Sequence, residues 1–200
     1  QDINKVRVDL GQNPANMIWF WGQGRRPDMP TLKEAYGISG GIISAVDLLK
    51  GIGKVLGMEV ANVEGATGYY DTNYEGKARA AMEILNNNDM VFVHVEAPDE
   101  AGHNGHVREK IKAIENFDSK IIKFILESLQ DKEDYRVLIL PDHPTPVKLR
   151  THTADAVPFA MAGKGIEPDS VTVFNEKSAK AGSAGVREGH TLMNMLLGKE

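Results

Sequence analysis

The chain has 200 residues, 42% apolar and 26% charged, with a net charge of −5 and no cysteine. That length suffices for one α/β domain with its own core, and the lack of cysteine excludes disulfides and thiolate metal ligands. The acidic balance argues against a nucleic-acid binder with a basic face, and no apolar run reaches the length of a membrane span.

The N-terminal stretch reads as the end of a helix running into a turn. With Gln1 in place of an initiator Met, it leads us to expect a piece of a longer protein. No secretory signal pattern is visible; the absence of cysteine fits a cytoplasmic location, which is the expectation. Asn16–Trp21 (NMIWFW) is a compact apolar run predicted to be a strand, ending in Gly22-Gln23-Gly24-Arg25-Arg26-Pro27. Glycines there would let a backbone approach a ligand, and Arg25 and Arg26 would hold an anion. The plainer reading is a turn with solvated charges. Pro27–Gly37 is a connector or short helix.

Gly40–Val46 is predicted to be a strand. A helix over Asp47–Leu56 follows, with Leu48, Leu49, Ile52, Val55 and Leu56 at helical spacing and Gly57 as its stop. Lys50 lies early in that helix, solvated by default and a substrate contact if the helix start faces a site. Glu59–Val63 is a short strand and Gly65–Gly68 a turn. Thr72 and Glu75 match a capping box, opening a helix that runs to the Asn86-Asn87-Asn88 stop. Met90–Val95 is the next strand. Val107–Leu129 is predicted to be one long helix, its apolar side chains keeping a 3.6-residue period. Tyr135–Leu140 and Ala156–Met161 are strands, with a further one possible at Val171–Phe174. Gly189-His190 opens a last short helix over Thr191–Leu197, where His190 is expected to cap.

Strands alternating with helices imply a largely parallel sheet with helices on both faces. In such sheets ligands sit beyond the carboxyl ends of the strands. Two runs occupy those ends: HVEAPDEAGHNGH (His94–His106) and PDHPTPVKLRTH (Pro141–His152). They place Asp99, His103, Asp142, His143 and His152 where they can converge, and mixed carboxylate and imidazole suits divalent metals such as Mn²⁺ or Zn²⁺. Each has a bland alternative. Asp99 and His103 can be a surface pair at a helix start, Asp142-His143 a capped turn, and His152 a satisfied structural histidine. The joint occurrence favours a metal site. His94 and Glu96 alternate with Val93 and Val95 and are expected to support the site or the fold, while His106 is expected to be solvated at a helix start.

The runs VHVEAPDEAGHNG, LPDHPTPV and THTADAVPF resemble the alkaline phosphatase superfamily. The resemblance is closer to its archaeal-type cofactor-independent phosphoglycerate mutases. NPANMIWFWGQGR, ISAVDLLKGIG, GATGYYDTNYEGKA and GHTLMNMLL extend it over most of the chain. It implies an alkaline phosphatase-like α/β fold, of which residues 1–200 form the C-terminal part. The opening strand, the nucleophile-bearing segment and an inserted domain would lie outside this chain. It also implies two divalent metal ions, with Mn²⁺ favoured over Zn²⁺, Co²⁺ or Mg²⁺. Asp99, His103 and His152 would hold one; Asp142 and His143 would hold the other, together with an Asp and a nucleophilic Ser that have no match here. Arg25, Arg26 and Lys50 would contact the phosphate and carboxylate of a small phosphorylated substrate. The implied reaction interconverts 3-phosphoglycerate and 2-phosphoglycerate through a phosphoserine. No catalytic nucleophile is expected in this chain, so it should be inactive alone. Three other readings stay open: a homoserine kinase-like phosphotransferase, a phosphoesterase or sulfatase, and a binding module without catalysis. No nucleic-acid or membrane partner is expected.

Overall fold

The computed structural model describes residues 2–20 and 22–199. Its architecture is mixed α/β, with α1 (Asp2–Asp9) and α2 (Leu32–Tyr36) ahead of the sheet. β1 (Gly40–Ile43) is central in a three-stranded parallel sheet, flanked by β2 (Glu59–Val60) and β3 (Met90–Val93). The chain leaves β1, forms α3 (Asp47–Val55) and returns as β2 on one side. It then forms α4 (Tyr74–Leu85) and returns as β3 on the other side. The order therefore switches at β1, and the carboxyl ends of β1 and β3 border the crevice where such folds bind ligands.

Helices cover both faces because successive strand residues point opposite ways. A Cβ added at Gly41 would lie 2.8 Å from Ile84 Cδ1 of α4, whereas one at Gly53 of α3 would overlap the Ile42 side chain. α4 is the central packing element. Its Ala81 and Ile84 pack with Ile43 against the sheet, and its Tyr74 and Ala78 pack with Ala97, Ala113 and Ile121.

The long helix is interrupted. α6 (Val107–Phe117) passes through a π turn at Asp118–Ile122 into α7 (Lys123–Leu129), and Lys123 N–H donates to the Asp118 carbonyl five residues back. Ala113, Phe117, Ile121 and Ile125 are spaced by four, which drifts by roughly 40° per step on an α-helix of 3.6 residues per turn. The wider π turn absorbs that drift and keeps all four on the core side.

Other expectations also need correction. Asn73, not Thr72, caps α4, with its side chain accepting from Gly76 N–H at 2.8 Å. Thr72 Oγ1 accepts from Thr67 N–H instead, and Glu75 is drawn off by Lys120 at 2.9 Å. Residues 16–20 form no strand. Met17, Ile18, Trp19 and Phe20 are exposed, and Trp21 lies outside the described residues. A strand needs a partner for its ladder, and none of the described strands offers that run one. β4 (Arg136–Ile139) pairs antiparallel with β5 (Ala160–Gly163) in a separate two-stranded sheet. Residues 171–174 are not a strand; α8 (Glu176–Ala179) follows them. Gly189–Thr191 is a 3₁₀ turn leading into α9 (Leu192–Leu197); His190 is exposed in it, and no side-chain capping bond is made at its start. Among the described residues no helix is long and apolar enough to cross a membrane.

Candidate metal centre

Two segments build the centre. Beyond β3 the chain turns at Glu96 into α5 (Ala97–Asn104), with Pro98 in its first turn, where a missing N–H does no harm. Asp99 and His103 are then one helical turn apart, and His103 Nε2 stands 3.3 Å from Asp99 Oδ2. Beyond β4 a proline-stiffened loop carries Asp142, His143, buried Thr145 and His152.

The four inner side chains meet. His152 Nε2 lies 3.0 Å from His103 Nε2 and 3.3 Å from Asp99 Oδ1. The His143 and His152 rings lie tilted by 32° with centroids 3.7 Å apart. Asp142 is outermost, 72% exposed, with Oδ2 3.3 Å from His143 Nε2. Donors bound tetrahedrally at about 2.1 Å from a metal are separated by about 3.4 Å. The spacing among Asp99, His103 and His152 is close to that, so this donor set fits a divalent cation. Asp99, His143 and His152 also offer ligand atoms within 4.8 Å of one another.

Neighbouring groups fix which nitrogen faces the centre. His103 Nδ1 lies 3.1 Å from the Arg150 carbonyl. A carbonyl only accepts, so Nδ1 carries a proton, and in the neutral ring Nε2 presents its lone pair. Thr145 Oγ1 donates to Asp99 Oδ1 in a short hydrogen bond. Its proton is thus committed, and His143 Nδ1, 3.3 Å away, must be the donor to that same oxygen. His143 Nε2, 3.3 Å from Asp142 Oδ2, is then the acceptor nitrogen of the neutral ring. One buried hydroxyl therefore orients a residue from each segment.

Around the centre, burial dominates the electrostatics. His94 Nδ1 meets Ser44 Oγ at 3.2 Å, and burial pushes the ring pKa down. Glu96 is pushed up, first by burial and then by the charges of Glu100 and Asp99. Lys77 on α4 is fully buried, donates to the His94 carbonyl at 3.0 Å, and has its pKa lowered by desolvation to about 8. Lys110 donates to the Thr145 carbonyl at 2.7 Å, and burial lowers its pKa too. His106 is exposed at the start of α6, against the Tyr70 hydroxyl at 3.1 Å.

Among the proposed anion-binding residues, Lys50 reaches this neighbourhood, where its charge helps lower the Lys77 pKa. Arg25 and Arg26 stand exposed in the loop before α2 (Leu32–Tyr36), and Lys50 on α3 stands 3.9 Å from Asp47. Thr145, Lys110 and Arg150 escape a reading of the sequence. For Thr145 a signal exists, since it stands two residues beyond His143 between Pro144 and Pro146; Lys110 and Arg150 look like ordinary solvated charges.

Gly102 sets how closely α5 meets the loop. A Cβ there would lie 2.8 Å from Thr145 Cγ2 and closer still to the Thr145 carbonyl oxygen. Elsewhere in a helix Gly→Ala stabilises by up to about 1 kcal/mol. Here Gly102→Ala should instead destabilise by roughly 1–3 kcal/mol through overpacking. Urea midpoints decide it; a stabilised variant would contradict the close approach.

A cluster of nitrogen and oxygen donors beyond the strand ends of an α/β fold is the kind of place that suits a divalent cation. The profile described as "Metalloenzyme superfamily" matches residues 7–199, and the chain belongs to that superfamily. It is 55% identical over 197 residues to the 2,3-bisphosphoglycerate-independent phosphoglycerate mutase of Methanosarcina acetivorans, covering 98% of this chain and 50% of that protein. The protein of that name from Methanothrix thermoacetophila is 53% identical over 196 residues, with the same coverage of each. Among solved structures, a Pyrococcus horikoshii protein superposes with a TM-score of 0.82 at 34% identity, over 86% of this chain and 52% of that one. The cofactor-independent phosphoglycerate mutase of Thermoplasma acidophilum gives a TM-score of 0.65 at 25% identity, over 100% of this chain and 47% of its own. The chain thus spans about half the length of the relatives it matches.

Proposed function

We propose that this chain is the C-terminal part of the metal-binding domain of a phosphoglycerate mutase. The whole protein would interconvert 3-phosphoglycerate and 2-phosphoglycerate without 2,3-bisphosphoglycerate. What carries this reading is the 55% likeness to a protein so named, in a chain whose Asp99, His103, His143 and His152 meet at one place.

In this reading Asp99, His103 and His152 hold one divalent ion, and Asp142 and His143 supply part of the site for a second. Mn²⁺ is the first candidate on the family resemblance; the carboxylates suit it, while the imidazoles equally suit Zn²⁺. Two such ions, when bound, would lower the pKa of a serine nucleophile and neutralise charge on the phosphoryl oxygens. The chain's own part is positional: Thr145 orients Asp99 and His143, and the Arg150 carbonyl orients His103. Arg25, Arg26 and Lys50 are the proposed contacts for substrate phosphate and carboxylate. The serine, its partner Asp and an inserted domain are assigned to residues outside this chain. A cytoplasmic location accords with a glycolytic substrate.

The test is turnover. Full-length protein with Mn²⁺ should form 2-phosphoglycerate from 3-phosphoglycerate, read by coupling to enolase, whereas the 200-residue chain alone should show none. Robust turnover by the chain alone would refute this division of labour. Phosphorylation of homoserine by ATP, with no action on 3-phosphoglycerate, would replace the mutase reading.

A further inference from the structure

Arg150 stands out in the backbone. Among the described residues it is the non-glycine residue with positive φ, at 58°, a region that L side chains with a Cβ disfavour. The surrounding turn holds it there. Leu149 and Arg150 N–H both donate to the Pro146 carbonyl at 2.9 Å, and Thr153 N–H donates to the Pro144 carbonyl at 3.1 Å. An unfavourable conformation retained in this way next to a site asks what it accomplishes.

Two contacts answer. The Arg150 carbonyl accepts from His103 Nδ1 at 3.1 Å. The Arg150 guanidinium packs over Gly105, the left-handed residue that ends α5, where an added Cβ would lie 2.7 Å from Arg150 Nε. His152 follows two residues later and brings its Nε2 to 3.0 Å from His103 Nε2. The turn at Arg150 thus joins the end of the helix bearing Asp99 and His103 to the loop bearing His152.

We propose that Arg150 is a positioning residue for the metal centre that acts through its main chain. Its left-handed backbone aims the carbonyl at His103 Nδ1–H, which in the neutral ring leaves the Nε2 lone pair facing Asp99 and His152. The guanidinium is secondary. This rests on the metal-site reading above and not on the identity of the substrate.

The residue type at this position then has a defined ranking. Glycine adopts positive φ freely, so Arg150→Gly keeps the carbonyl in place although the whole side chain is gone. Proline fixes φ near −65° and removes the N–H that bonds Pro146, so Arg150→Pro turns the carbonyl away. The experiment titrates the full chain with Mn²⁺ by calorimetry and, separately, reads the metal-free His103 ring by ¹⁵N NMR. Arg150→Gly should stay within about threefold of the unsubstituted chain and retain the Nδ1–H tautomer. Arg150→Pro should lose about 10- to 100-fold in affinity, as for other lost ligand-orienting partners, and show mixed tautomers. If Arg150→Pro does not fold, Arg150→Val takes its place, because a β-branched residue also resists this region. Equal losses in the Gly and Pro variants would overturn the main-chain role in favour of the guanidinium. Unchanged affinity and tautomer in the Pro or Val variant would overturn the proposal outright. If the unsubstituted chain binds no Mn²⁺, the metal-site reading fails, while the His103 tautomer still decides whether Arg150 orients that ring.

Discussion

Asp99→Asn is expected to lower the Mn²⁺ affinity of the chain by more than about 100-fold, beyond the 10- to 100-fold typical of lost supporting contacts. Asp99 is the carboxylate at the middle of the cluster, touched by Thr145, His103 and His152. Its side chain is 24% exposed, so little water screens its charge. Asn preserves the shape and can still accept from Thr145, but it removes the negative charge that balances a dication held among imidazoles. Full-length enzyme carrying the same change should lose turnover to a similar degree. Calorimetric titration reads the first effect and the enolase-coupled assay the second. Affinity within a few-fold of the unsubstituted chain would remove Asp99 from the ligand set.

Lys77 should make stability rise with pH. The side chain is fully buried, and desolvation lowers its pKa from 10.5 to about 8. Between those values the unfolded chain binds a proton that the folded chain lacks. Stability therefore increases as pH climbs through the window, by about 1.4 kcal/mol per unit. Below the folded pKa both states are protonated, and the burial penalty, roughly 3 kcal/mol, is felt in full. Lys77→Met should flatten that rise, so the difference between the two chains changes by about 2 kcal/mol from pH 8 to 9.5. Stopping at 9.5 avoids the buried Tyr74, whose pKa is raised and whose influence runs the other way. Urea unfolding at four pH values is sufficient, and parallel curves for both chains would show that Lys77 stays protonated in the fold.

What the sequence made legible follows from how local each signal is. Asp99 and His103 could be placed together because a spacing of four needs only one helical turn. The strand-end position of Asp142-His143 followed from the apolar run Val137–Leu140. His152 was harder, since its approach to His103 depends on a left-handed turn at an arginine, a residue type with no bias toward that conformation. The run Met17–Phe20 has strand composition, yet a strand exists only where a partner lies alongside, and composition carries no information about partners. The capping box failed through competition: Lys120, 45 positions further along, takes Glu75, and a neighbouring amide takes the Thr72 hydroxyl. The direction of β5 was equally hidden, because an apolar run reads the same for parallel and antiparallel pairing.

The alanines that pack beside the sheet and α4 have a bearing on any survey of tolerated substitutions. Ala78, Ala81, Ala97 and Ala101 have no exposed surface, and Ala113 has 2%. Each fills its space with a single methyl group, so every larger residue must displace a neighbour. Such positions would rank beside the histidines in sensitivity while doing no chemistry. What sets the two groups apart is the response to added metal: ligand losses alter it, whereas bulky replacements at these alanines act first on whether the chain folds.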